Sequence, residues 1–185
     1  VLFPLLVGIA IKAEPIMNFV ASESFAGSGN ILRYLALSIV GICFGVTFGY
    51  TAMAINRQRQ ALWIYASNAV LSIIGYFIFI PRFGVWGAVG VTIFSETYSG
   101  ILLFILVTAV SKTWPNFLTL GKITLASLLM GTVLIKLPHF SLLASVIVGT
   151  VTYILLAIGL NIVSWKTIKM ILAPKKFAEI PENTI

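Results

Sequence analysis

The stretch VWGAVGVTIFSETYSGILLFILVTAV, residues 85–110, carries a single charged side chain, Glu96. A soluble amphipathic helix keeps a polar face, whereas here apolar side chains run round the whole circumference. A helix rises 1.5 Å per residue, so about 20 apolar residues cross the roughly 30 Å hydrocarbon layer, and this run is long enough. Four more stretches read the same way, residues 31–55, 61–80, 123–137 and 142–163, with short polar joints between them. Lipid offers a backbone no hydrogen bonds, so each must be helical. The composition agrees, at 59% hydrophobic and 9% charged.

The fold class expected is therefore all-α, a polytopic transmembrane helix bundle. It should have five full spans plus the end of a sixth. The chain opens with Val1 inside another apolar stretch, residues 1–13, which is too short to cross and reads as the tail of a span whose start is missing. No charged leader or small-residue cleavage site precedes it, so it does not read as a signal peptide. The lone Cys43 falls inside a span, which excludes a disulfide framework and suits a small buried side chain.

The formal charge of +7 is unevenly placed. Arg57, Arg59, Lys112, Lys122, Lys166, Lys169, Lys175 and Lys176 fall on alternate joints and the tail, against Lys12, Arg33, Arg82 and Lys136 on the other side. The positive-inside rule puts the richer side, and with it the C-terminus, in the cytoplasm. These charges flank lipid spans and form no continuous stripe, so nucleic acid is not an expected partner. Pro81 and Pro138 should interrupt helices in the outer turns, with Gly84 supplying backbone freedom. Trp63, Tyr65, Trp86, Trp114, Phe117 and Trp165 near span ends read as interfacial anchors. His139, beside Pro138, is expected at the surface of an outer turn. Residues 12–30 mix Glu14, Pro15, Asn18 and serines with apolar side chains, which suggests a short amphipathic piece in the outer headgroup layer.

Three polar or small-residue features lie within the spans. Gly41, Gly45 and Gly49, with Ser38 a turn earlier, share one helix face and form a groove for a neighbouring helix, either for packing or for sliding during a transport cycle. Glu96 lies about 16 Å along its helix, near the bilayer centre, where a charge needs a cavity, a partner or a proton. Thr92, Ser95, Ser99 and Gly100 surround it in sequence. Together they make a small polar face fit for cation or proton coupling, a substrate path, or a structural hydrogen bond. Asn68, followed on its face by Ser72 and Gly75, should bond across to another helix or contact a ligand. The chain has no aspartate, phosphate-binding glycine loop, metal-spaced Cys/His set or nucleophile with an adjacent base. No enzyme activity and no cofactor are expected.

An ordered series of blocks adds a resemblance. Glu23-Ser24-Phe25-Ala26-Gly27-Ser28, Ile31-Leu32-Arg33-Tyr34-Leu35-Ala36, Ala54-Ile55-Asn56-Arg57 and Asn68-Ala69-Val70-Leu71 come first. Ile80-Pro81-Arg82-Phe83-Gly84-Val85-Trp86-Gly87-Ala88-Val89-Gly90, then Ser95-Glu96, complete it. Over a little under half the chain this resembles the C-terminal half of polysaccharide or O-antigen flippases of the multidrug/oligosaccharidyl-lipid/polysaccharide exporter superfamily. The resemblance implies a two-lobe transporter in a bacterial or archaeal cytoplasmic membrane, moving a lipid-linked oligosaccharide by alternating access. Residues 1–110 would then end the second lobe, 111–163 would be two additional spans, and 164–185 a cytoplasmic tail. The missing N-terminal lobe, membrane lipid, the lipid-linked cargo and a coupling proton or sodium ion would be its partners. Cavity or coupling candidates are Glu96, Asn68, Thr92, Ser99 and Arg33. A cation-coupled multidrug antiporter and a non-transporting membrane scaffold are the alternatives.

Overall fold

The computed structural model describes residues 2–21, 23–112, 114, 117–136, 141–160 and 162. Among these there is no strand, and seven α-helices follow in order: α1 (Leu2–Ala21), α2 (Gly29–Leu35), α3 (Ser38–Ala54), α4 (Gln58–Phe83), α5 (Val85–Ser111), α6 (Phe117–Lys136) and α7 (Leu142–Gly159). A 3₁₀ segment, Glu23–Ser28, joins α1 to α2. The bonds Ala36 N–H to Leu32 O and Ile39 N–H to Ala36 O carry α2 into α3, so Gly29–Ala54 acts as one span. Six helices are then long and apolar enough to cross a membrane. The chain is a multi-pass membrane protein. Its large apolar side chains point outward, with Phe77 79% and Leu118 71% exposed, as a lipid-facing surface requires and a water-facing one would not tolerate in such number.

Hydroxyl groups inside the spans are satisfied locally. Thr51, Ser72, Thr92, Thr124 and Ser127 each donate to the carbonyl four residues back, at 2.7–3.0 Å. In lipid this removes the cost of an unpaired hydroxyl without calling on a neighbouring helix.

Two helix groups share the fold. In one, α5 lies parallel to α3 and antiparallel to α4, around a core of Ala52, Ala61, Leu103 and Val107. In the other, α6 and α7 pack on α1 and on each other: Gly131 of α6 faces Val7 and Ile11 of α1, and Gly149 of α7 faces Leu134 and Met130 of α6. The group α1–α6–α7 meets the first through contacts of α1 with α2 and α3.

Several sequence expectations are corrected in detail. The first stretch does not end at residue 13, because α1 continues to Ala21 and absorbs much of the segment read as interfacial. It survives Pro15 by breaking at Lys12 (φ −102°, ψ 23°), so the proline falls in the first turn of the second half, where its missing N–H costs least. Pro81 likewise does not end α4, which runs two residues further to Phe83. Helix α6 begins at Phe117, so Lys122 lies on the helix rather than in the joint. Its long stem can carry the ammonium toward the headgroups. Pro138, His139, Trp165 and the basic tail lie outside the described residues.

The α4–α5 turn is a single residue, Gly84, at φ 58° and ψ −136°, with its N–H bonded to Ile80 O at 2.8 Å. A side chain is disfavoured in that backbone region, so Gly84→Ala is expected to cost about 1–2 kcal/mol. Thermal unfolding in detergent measures it.

Candidate functional site

The candidate residues on α3, α4 and α5 gather along one seam. Its floor is the crossing of α3 and α5. Ser38, Gly41, Gly45, Gly49 and Ala52 form the buried stripe of α3, and Ser95, Ser99, Gly100, Leu103 and Val107 form that of α5. A Cβ on Gly41 would fall 2.5 Å from the Glu96 carbonyl carbon, and one on Gly100 would fall 2.7 Å from Gly41 O. The backbones therefore touch at Gly41 and Gly100. Gly45, by contrast, has only Ser99 Oγ nearby, at 4.0 Å, so the stripe is tight at one end and looser towards the middle.

Glu96 stands at that crossing, in the middle of α5 and half-buried. Its carbonyl packs against Gly41 and accepts a bond from Ser99 Oγ at 3.2 Å. Its carboxylate lies within electrostatic reach of the Tyr65 hydroxyl of α4. Tyr65 is more than the interfacial anchor expected from sequence. Its Oη abuts Gly49 and donates to Gly45 O at 3.4 Å, because the absent side chains of the stripe leave room for the phenol. The one sequence signal was faint: Tyr65 sits a helical turn before Asn68 on α4, where an aromatic near a span end reads first as an anchor.

On either side of Glu96 along α5, the contact with α4 is made by hydroxyl pairs. Ser67 Oγ meets Tyr98 Oη at 3.3 Å, and Tyr76 Oη meets Thr92 Oγ1 at 3.0 Å. The bond across helices expected of Asn68 is thus made one position earlier, by Ser67. Asn68 Oδ1 is buried with no hydrogen-bond partner, while Asn68 O accepts from Ser72 at 2.7 Å. Burying an unpaired amide oxygen costs about 1–3 kcal/mol. Asn68→Leu, close in shape, is expected to leave stability unchanged or raise it by about 1 kcal/mol, as detergent unfolding would register.

Arg33 is not part of this seam's bonding. Its Nε donates to Ala10 O of α1 at 2.9 Å, Nη1 donates to Asn30 Oδ1 at 3.3 Å, and Nη2 lies 3.9 Å from Glu14 Oε1. Glu14 gave the only local hint of that pairing. Trp86, read as an anchor, also has a specific partner: its ring meets Tyr34 edge-on at 5.3 Å, tying the end of α2 to the start of α5. Among the described residues no three His, Cys, Asp or Glu side chains gather as a metal site.

The seam can bind or relay a small cation or proton by a carboxylate and hydroxyls, and it holds no nucleophile paired with a base. Compared with protein-family models, curated proteins and solved structures, the chain matches none.

Proposed function

We propose that this chain is the C-terminal part of a flippase that moves a lipid-linked oligosaccharide across a bacterial or archaeal cytoplasmic membrane by alternating access. The observation that carries it is Glu96. An acid at mid-span is costly unless it serves a pathway, and this one sits where three helices meet through glycines and hydroxyls. The resemblance of residues 80–90 to polysaccharide flippases supplies the cargo. Seam hydroxyls would meet sugar or ion, the apolar helix faces would meet the polyprenyl tail, and an N-terminal lobe of the kind the resemblance implies would close the cavity.

One observation favours the antiporter as a second reading. Arg33, the cation nearest to a cavity role by sequence, is engaged with Ala10, Asn30 and Glu14, while the seam presents an acid within electrostatic reach of Tyr65. That lining suits an organic cation, through carboxylate pairing and cation–π contact, better than a pyrophosphate.

The protein expressed from its complete reading frame and reconstituted in liposomes separates the two. A flippase exposes a lipid-linked oligosaccharide, loaded in one leaflet, to a lectin on the opposite side. Ion-driven expulsion of a fluorescent organic cation without lipid translocation would replace it with the antiporter. Orientation is tested independently. In a Cys43→Ser background, Gln58→Cys should resist an impermeant maleimide in intact cells while Phe83→Cys reacts, and the reverse would invert the proposed topology.

A further inference from the structure

The geometry points to a hinge in α1 at Lys12, strapped in its bent form by Arg33, whose release straightens the helix and reshapes the cavity between α1, α6 and α7. The bend has a local cause. Pro15 has no N–H for the carbonyl of Ile11, its ring crowds that carbonyl, and the helix breaks between them, at Lys12. The strap reaches the same place from the next span. Arg33 Nε donates to Ala10 O at 2.9 Å, two residues before the break, and Nη2 approaches Glu14 Oε1 at 3.9 Å, two residues beyond it. One guanidinium therefore holds both sides of the bend. Gly29 seats the second side, since a Cβ there would fall 2.6 Å from Glu14 Cγ.

The cavity spans the bend as well. It measures about 510 Å³ and is walled by Gly8 before the break, Lys12 at it and Ile16 after it, facing Leu134 of α6 and Leu142 and Tyr153 of α7. Straightening α1 must move Ile16 relative to Leu142 while Val7 keeps its place against Gly131 of α6, so the mouth near Leu142 changes and the floor does not. The two exposed ends of the Glu14–Arg33 pair make the strap easy to release, because a pair 60% and 45% exposed is weakly held by charge alone. This hinge is independent of what the protein carries.

Spin-label distances in lipid nanodiscs test it, on the full chain with Cys43→Ser. Phe19→Cys with Leu143→Cys reports the half of α1 beyond the bend, and Leu5→Cys with Leu155→Cys reports the half before it. Residues 13–21 extend about 13 Å, so removing a kink of 20° or more displaces the tip by roughly 5 Å. Arg33→Gln is expected to shift or broaden the first distance by that amount and leave the second unchanged. Pro15→Ala, which restores the N–H to the helix ladder, should do the same, and it decides the matter where Arg33→Gln does not assemble. An unchanged first distance in Pro15→Ala overturns the hinge. Equal shifts in both pairs also overturn it, because α1 would then be moving as one rigid rod.

Discussion

Gly41→Leu is expected to abolish accumulation of folded protein, and Gly41→Ala to lower stability in detergent by about 2–3 kcal/mol, the upper range for overpacking a close contact. The cause is backbone against backbone. A methyl at Gly41 meets the carbonyl of Glu96 and the amide of Thr97, which belong to a helix that cannot yield as a flexible side-chain end would. Both helices would have to separate, and the same movement would open the contact of Gly100 with Gly41 O. Within lipid no hydrophobic force between helices makes up for lost packing, so close approach is what holds the pair. Gly45→Ala is the internal control, since its nearest neighbour is 4.0 Å away. Equal loss at Gly41 and Gly45 in a thermal-shift series would show that the whole stripe, rather than one crossing, sets the contact.

That contrast also marks how far the sequence could be read. The spacing of Gly41, Gly45 and Gly49 announces a packing face, since residues four apart lie on one side of a helix. It does not say which neighbour fills the face or where the two backbones touch, because that depends on Gly100 and the direction of α5. The spans were legible for an equally simple reason: hydropathy averaged over a membrane thickness is insensitive to single residues. Helix α1 escaped this averaging. Lys12, Glu14 and Pro15 look like the end of an apolar run, yet Pro15 is accommodated by a local break at Lys12 and Glu14 is paired with Arg33, a contact distant in sequence. The start of α6 was missed for a related reason, as Lys122 looks like a loop residue until its helix is seen to begin at Phe117. At the candidate site, Glu96, Thr92 and Ser99 were legible as one face of α5. Tyr65 and Ser67 were not, because an aromatic near a span end and a serine beside an asparagine have commoner explanations. Only the placement of α4 against α3 and α5 gives them their partners.

The side chain of Glu96 can be tested apart from its backbone, because the helix crossing is made by the main chain. Gly41 touches the Glu96 carbonyl, and Ser99 donates to that same oxygen, so Glu96→Gln leaves the contact of α3 with α5 in place. Glutamine also keeps the size of the side chain and most of its hydrogen-bonding capacity, while it loses the negative charge and the titratable proton. Protein abundance and thermal stability are therefore expected to stay near the parent's. Transport of the lipid-linked sugar is expected to fall roughly tenfold or more, within the 5–150-fold range of ordinary coupling between sites, and to lose its dependence on pH or sodium. The neighbouring phenol gives a second readout. Tyr65→Phe removes the hydroxyl that interacts electrostatically with the carboxylate, and with it the bond to Gly45 O, so it should shift the pH or sodium dependence without abolishing it. Initial translocation rates measured across pH and sodium concentration in reconstituted liposomes distinguish these outcomes. Parental rates with unchanged ion dependence in Glu96→Gln would remove the carboxylate from the mechanism and leave the seam as packing alone.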